Sequence, residues 1–143
     1  YKCSLSIVGC NPPKNIKTLK FVKLFGYLSK EIKSQKNKLK KLYIDSHFFI
    51  LMSKAEALGV VFNEASSFGL PSIAPNVGGI SSVIDDKCGI LVDKNEKHDV
   101  IVNKISKVLN NRELYQKKSI ASYSRYQNKN NWNIIIKKLL KKI

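Results

Sequence analysis

Short apolar runs and amphipathic stretches take turns along this chain, and that alternation limits the fold more than any other feature. Cys3 to Gly9, CSLSIVG, reads as a buried strand closed by the turn residues CNPPKN. Phe21 to Leu28, FVKLFGYL, reads as a second strand closed by Gly26. In SKEIKSQKNKLKKLYIDS the later part is helical, with Leu39, Leu42 and Tyr43 on one face, and KSQKNK reads as a solvated loop or a frayed first turn. HFFILMS reads as a strand that is apolar on both faces, as a central parallel strand should be. A helix is expected from about Gly59 to Phe68, with Gly69 as its terminator. PSIAP is a short strand, GGISSVIDD begins a short helix, and GILV is another strand. EKHDVIVNKISKVLNN is an amphipathic helix whose buried side takes Val100, Ile101, Ile105, Val108 and Leu109. Two more helices finish the chain, the last being NWNIIIKKLLKKI.

Strands alternating with helices imply an α/β fold, a Rossmann-like parallel sheet with helices on both faces. Such sheets bind ligands beyond the carboxyl ends of their strands. With 143 residues and no long linker, the whole of 1–143 reads as one domain. Hydrophobic residues make up 43% of it, enough for a sizeable core. The longest fully apolar run, FFILM, is far too short to span a membrane. The opening YKCSLSIVG shows no signal-peptide pattern, and it lacks a starting methionine, as a piece of something longer would.

The net charge of +16 suggests an anionic partner. Yet the cations are nearly all lysine, Arg112 and Arg125 being the exceptions, whereas base and phosphate recognition favours the planar fork of arginine. No aromatic ladder is interleaved with the basic residues, so specific nucleic-acid binding is not expected. Cys3, Cys10 and Cys88 are scattered and show no paired spacing, which suits free thiols in a reducing, cytoplasmic setting. Neither His47 nor His98 joins them in a ligand pattern, so no metal is expected.

The stretch most informative about chemistry is KAEALGVVFNEASSFGLPSIAPNVGGISSVI, Lys54 to Ile84. It follows the strand HFFILMS and runs into a helix. Glu56 is placed in the strand-to-helix loop and Glu64 about one turn into the helix. Helical side chains lean toward the N-terminus, so Glu64 would point into the crevice that Glu56 faces. Backbone N–H groups near Ala57, Leu58, Gly59 and Val60 would open on the same crevice and favour a phosphate or a sugar oxygen. An ionised carboxylate only accepts hydrogen bonds and has two oxygens, which suits a vicinal diol such as a ribose or hexose edge. Gly59 would let a ligand approach the backbone, and Gly78 and Gly79 would supply a second nest of donors. The ordinary alternative is an amphipathic helix with solvated glutamates near its positive end.

These surroundings resemble the C-terminal, donor-binding domain of the retaining GT-B glycosyltransferases, glycosyltransferase family 4 and its relatives. The family pattern E-x-F-G-x4-E-A-x-A-x-G-x-P-V, followed by G-G-x-x-E, stands here as EALGVVFNEASSFGLPSI and VGGISS. SIVGCNPP is similar to the family's ivG-x-G-P turn, VKLFGYL to its second strand, CGILV to n-G-l-l-v, and YQNKNNWNIIIKKLL to its closing helix. The resemblance implies a nucleotide-sugar donor, with Glu56 near the transferred sugar and Glu64 on the ribose hydroxyls. It implies Gly9 and Asn11 by the phosphates or the domain cleft, Gly26 and Tyr27 on the base through backbone, and Gly78 and Gly79 on the phosphate side. It implies no cofactor beyond the donor itself. The function it implies is transfer of a hexose to a glycan or lipid-linked acceptor in surface polysaccharide biosynthesis.

Departures from the pattern are specific. Asn11 replaces a glycine, a position where asparagine tolerates positive φ, Leu58 replaces Phe, and Ser81 and Ser82 replace Pro-Glu. The family's diphosphate-neutralising Arg and Lys lie upstream of the first strand, and its acceptor domain is N-terminal to that. Both are therefore expected upstream of this stretch, the basic pair before the first strand and the acceptor site in a separate N-terminal domain, so this chain alone is expected to be inactive. The closing helix is expected to cross toward that domain, with peripheral contact to the inner face of an anionic membrane as the weaker use. Two other classes remain open. One is a non-enzymatic nucleotide- or nucleic-acid-binding module. The other is an NAD-dependent dehydrogenase, against which GCNPPK speaks by lacking G-x-G-x-x-G.

Overall fold

A computed structural model describes residues 3–57 and 59–141. The chain divides into two compact units, the first up to Asp45 and the second from Ser46, although the sequence shows no linker there.

In the first unit β1 (Leu5–Val8) pairs in parallel with β2 (Val22–Gly26). Leu5 sits opposite Val22 and Ile7 opposite Leu24, and the register then shifts so that Val8 meets Gly26. The short helix α1 (Lys14–Lys17) connects them, starting just after Pro13, as suits a residue that has no N–H to offer. Helix α2 spans Lys33–Ile44, so KSQKNK is helical and the expectation of a loop there is corrected. Two contacts explain it. The Gln35 Oε1 accepts from the Ser29 N–H at 2.6 Å and fastens the first turn, and the Lys38 ammonium lies 5.0 Å from the centre of the Phe25 ring.

The second unit holds a parallel sheet of order β3 (Phe49–Ile50), β4 (Ser72–Pro75), β5 (Gly89–Val92). HFFILMS is therefore not the central strand of this unit. Only two of its residues join the sheet, at an edge, and Ile50, Leu51 and Met52 are exposed as the chain departs into a loop. The central place goes to β4, buried along its whole length. Successive strand residues face opposite sides, so β4 starts two cores. Ala74 joins Phe62, Ile80, Val83, Ile84 and Cys88 on one side. Ile73 joins Ile90, Val92 and Val108 on the other.

Helices α3 (Val60–Ser67) and α4 (Ile80–Val83) cover the first face through Phe62, Ile80 and Val83. Helix α5 (His98–Leu109) covers the second through Ile101, Ile105 and Val108, joined by Leu114 and Tyr115 of α6 (Arg112–Arg125). The i, i+4, i+7 stripe on α5 leaves Val100 and Leu109 more exposed than expected. Full burial of Phe62, Ile80 and Ile84 contributes about 1.5–3 kcal/mol each before entropy is counted. A π-helical turn, Tyr126–Asn130, follows α6 and leads to α7 (Trp132–Leu140). On α7, Trp132, Ile136, Leu139 and Leu140 are exposed and fall at i, i+4, i+7 and i+8, so its apolar stripe points outward. Among the described residues no helix is long and apolar enough to cross a membrane.

The second unit thus brings a loop, residues 51–59, out of the carboxyl end of β3, and a turn, 76–79, out of the carboxyl end of β4. Of the sequence-derived site, Glu56, Ala57, Gly59, Gly78 and Gly79 fall on these two connections.

Candidate functional site

Glu56 lies half-buried in the loop before α3, and its Oε1 accepts the Gly59 N–H at 3.2 Å. Gly59 is buried, has φ +57° and caps α3. A Cβ at that position would stand 2.7 Å from Cδ2 of Phe62 and 3.7 Å from Cγ of Glu56. Phe62 is fully buried and meets Phe49 edge-on, with ring centroids 5.5 Å apart. The loop therefore closes on the core through a residue that must lack a side chain.

The diglycine turn reaches Glu56 from the other strand. Gly78 has φ +54°, and a Cβ there would be 2.2 Å from the Glu56 carbonyl oxygen. The Gly79 N–H donates to that same oxygen at 3.2 Å. The N–H groups of Gly59 and Gly79 are thus both directed at Glu56, where the sequence had suggested donors left open to a ligand. Val60 and Val61 open α3, and the N–H groups of a first helical turn have no partner of the i−4 kind.

Glu64 is half-buried on α3 and engaged within the fold. It stands one turn after the exposed Val60. Ala57 is exposed, and Leu58 lies outside the described residues. The second unit therefore brings together Glu56, Gly59, Gly78 and Gly79, with Ala57 next to Glu56 in the loop and Glu64 on α3.

Gly9, Asn11, Gly26 and Tyr27 belong to the first unit. The Gly9 N–H donates to the Gly26 carbonyl at 2.7 Å and ties the ends of β1 and β2. Gly9 has φ +80° and Gly26 φ +63°, with open space where each Cβ would be, so conformation and not crowding selects glycine at both. Asn11 is exposed, and among the described residues no residue other than glycine has positive φ, so Asn11 does not use the left-handed form that asparagine tolerates. Tyr27 is 80% exposed.

Sequence reading passed over two features. Ser53 Oγ at the start of the loop and Asn63 Oδ1 on α3 are buried atoms without a hydrogen-bond partner. A buried polar group left so is unfavourable until something pairs with it. No sequence signal marks either. The second feature is a polar cluster behind α6. Lys118, 9% exposed, donates to the carbonyls of Asp86 and, at 2.9 Å, Gly89. Arg125 pairs with Asp85 at 2.5 Å and donates to the Ser82 carbonyl at 2.9 Å. Burial lowers the Lys118 pKa, against the pull of Asp86, Cys88 and Asp85. Burial alone would raise the Asp85 pKa, but the Cys88 hydrogen bond, the Arg125 charge and the backbone N–H groups of Lys87 and Cys88 bring it below its ordinary value. This cluster fastens the segment between α4 and β5 to α6. Its signal was helical phase, because Lys118 stands four residues after Leu114 and four before Ser122, on the buried stripe.

Chemically the loop offers acceptors held in place beside a helix N-terminus, a setting for a polyhydroxyl group next to an anion. Among the described residues no group of three or more His, Cys, Asp and Glu is placed to hold a metal ion.

The model of the family "Glycosyl transferases group 1" matches residues 5–126. The sulfoquinovosyl transferase SQD2 of Arabidopsis thaliana is 35% identical over 83 residues, which are 55% of this chain and 16% of that protein. Among solved structures, WaaG, a glycosyltransferase involved in lipopolysaccharide biosynthesis, superposes with a TM-score of 0.75 at 20% identity, covering 94% of this chain and 36% of its own. HepE of Anabaena, in complex with UDP and glucose, superposes with a TM-score of 0.71 at 17% identity, covering 86% and 32%. The chain thus spans about a third of the length of these two structures and less of the plant relative. Its α/β, Rossmann-like fold is that of GT-B glycosyltransferases.

Proposed function

This chain belongs to the glycosyl transferases group 1 family, and on that premise we propose that it is the donor-binding, C-terminal half of a retaining glycosyltransferase. The donor is a nucleoside diphosphate sugar, and the reaction moves its hexose to a glycan or lipid-linked acceptor. The observation that carries this reading is the double restraint on Glu56. Its carboxylate is oriented by the Gly59 N–H and its carbonyl by the Gly79 N–H, directly before the N-terminus of α3. An acceptor that accurately held suits the hydroxyls of a sugar, and Glu64 one turn on suits the ribose. The N–H groups opening α3 would meet the diphosphate and stabilise the charge that grows as it departs. The complex of HepE with UDP and glucose supports a donor of this class.

No residue in this scheme is assigned to a metal, and the donor is the only small molecule it requires. The remaining cations and the acceptor site are assigned to an N-terminal domain. The outward stripe of α7 is assigned to contact with that domain, ahead of an anionic membrane surface. The role of WaaG in lipopolysaccharide biosynthesis supports placing the reaction in surface polysaccharide biosynthesis, and this reading assigns it to the bacterial cytoplasm.

Titration calorimetry of this chain with UDP-, GDP- and ADP-sugars tests the donor class. Glu64→Ala should weaken the nucleotide that binds by about tenfold or more, since each bond to a charged acceptor contributes roughly 1.5–3 kcal/mol. Because Glu64 is engaged within the fold, some fall in melting temperature is expected, but binding should be weakened more than folding. Unchanged affinity together with a large fall in melting temperature would make Glu64 structural and remove the ribose assignment.

A further inference from the structure

We infer that Gly78 and Gly79 serve the reaction by clasping the Glu56 main chain, not by donating to the phosphates of the donor. The part of this inference that concerns catalysis rests on the function proposed above, while the clasp itself is geometry.

The turn 76–79 is anchored on its own account. The Asn76 N–H donates to the Val92 carbonyl at 2.8 Å, and the Ile80 N–H to the Val77 carbonyl at 3.2 Å. Strand β4 before the turn is buried throughout, and Ile80 after it is fully buried. The loop 51–59 is tied to β4 at its start, where the Leu51 N–H donates to the Ile73 carbonyl at 3.2 Å, and most of its described residues are exposed. The two meet at one peptide. The missing Cβ of Gly78 would lie 2.2 Å from the oxygen, 3.4 Å from the carbon and 3.7 Å from the nitrogen of Glu56. Backbone cannot yield at that distance as a flexible side chain would, so the approach is possible only to glycine.

The Gly79 N–H then donates to the same carbonyl at 3.2 Å. With the Gly59 N–H on the carboxylate, Glu56 is held at both ends, one end from β4 and the other from α3. A donor already aimed at a carbonyl is not open to a phosphate unless that bond breaks. Gly78 and Gly79 are therefore positioning residues, and the diphosphate is left to the N–H groups of Val60 and Val61.

Two arms test this. In the unaltered chain, hydrogen exchange and amide NMR should find the Gly79 N–H protected, and UDP should shift the Val60 and Val61 amides more than that of Gly79. A Gly79 amide that exchanges freely, or that shows the largest response to UDP, overturns the inference. In the second arm Gly78→Ala should speed exchange of the Gly59 and Gly79 amides by about tenfold or more, the scale on which a local opening replaces a closed contact. Gly69→Ala is the control. It imposes the same left-handed strain, φ +66°, where the added Cβ would meet Ser119 and Tyr123. It should leave those amides as they were.

In the full-length enzyme Gly78→Ala should lower kcat by about tenfold or more while the donor KM stays within about threefold, as expected when a held group is misplaced by a fraction of an ångström. Equal exchange changes in the two variants would reduce the clasp to general destabilisation and overturn it. If Gly78→Ala does not fold, the protection of Gly79 in the unaltered chain decides the matter. If UDP does not bind at all, the proposed function fails, and the exchange data still decide the clasp.

Discussion

Replacing Gly59 by alanine offers the sharpest test of how the candidate site is coupled to the core. Gly59 has φ +57°, a conformation that costs any residue with a Cβ about 1–2 kcal/mol. The new Cβ would also stand 2.7 Å from Cδ2 of Phe62. Phe62 cannot retreat easily, being fully buried and packed against Phe49. Overpacking of this kind typically costs about 1–3 kcal/mol more. The sum is about 2–5 kcal/mol out of a total stability of roughly 5–15 kcal/mol. For a domain of this size each kcal/mol moves the melting temperature by about 2–4 °C, so a fall of roughly 4–20 °C is expected. Far-UV circular dichroism during heating, repeated in urea, measures it. Gly69→Ala in the same unit provides the strain without the clash on a core ring, since its Cβ would meet the Ser119 hydroxyl at 3.3 Å. The difference between the variants isolates the Phe62 contact. Equal melting temperatures would show that the ring gives way and that the loop is not keyed to the core as described.

Lys118→Met should lower stability by about 1–3 kcal/mol, because the Asp86 and Gly89 carbonyls lose their donor inside the fold. Its pH dependence has a definite sign. Burial depresses the folded-state pKa of Lys118, so between that value and the ordinary lysine value the unfolded chain binds more protons and stability rises with pH. Urea denaturation across alkaline pH should show that rise in the unaltered chain and not in Lys118→Met. Glu56→Gln keeps an oxygen for the Gly59 N–H but removes the charge, so UDP binding should persist while the full-length enzyme loses sugar transfer. An equal loss of UDP affinity would move Glu56 away from the sugar. Flotation with anionic vesicles should leave this chain behind at physiological salt if α7 meets protein; co-flotation that survives salt would assign its outward stripe to lipid.

The legible part of this molecule was the part that glycine dictates. Gly59, Gly69 and Gly78 stand where the motif required them, and each takes the positive φ that only glycine adopts readily. Strand and helix order was legible for the same kind of reason, since apolar period and turn residues are local properties. Strand length was not. HFFILMS is apolar enough for a long central strand, but pairing depends on what lies alongside, and β3 contributes two residues at an edge. The lysine-rich start of α2 was misread because it is held by contacts outside the helix, from the Ser29 N–H to Gln35 and from Lys38 to the Phe25 ring of β2. Lys117 and Lys118 are indistinguishable as letters, yet the first pairs with Glu113 in solvent and the second is enclosed. The restraint on Glu56 was also hidden, because a glutamate that accepts from its own loop reads the same as one that waits for a ligand.

That last ambiguity resolves once the acceptor capacity of the group is considered. A carboxylate has about four lone-pair sites, and the bond from Gly59 occupies one of them. Holding the group therefore does not exhaust it. An unrestrained glutamate on an exposed loop would lose side-chain freedom on binding, a cost of up to about 1.5–2 kcal/mol, and the Gly59 bond places part of that cost in folding instead. The same reasoning explains why both restraints come from glycines placed next to core anchors. Gly59 stands three residues before Phe62 and Gly79 one residue before Ile80, and both anchors are fully buried on one face of the sheet. The position of Glu56 is thus set by the packing of that face. A change in core volume at Phe62 should consequently appear first as a defect in donor binding, at a stability where the fold itself still stands.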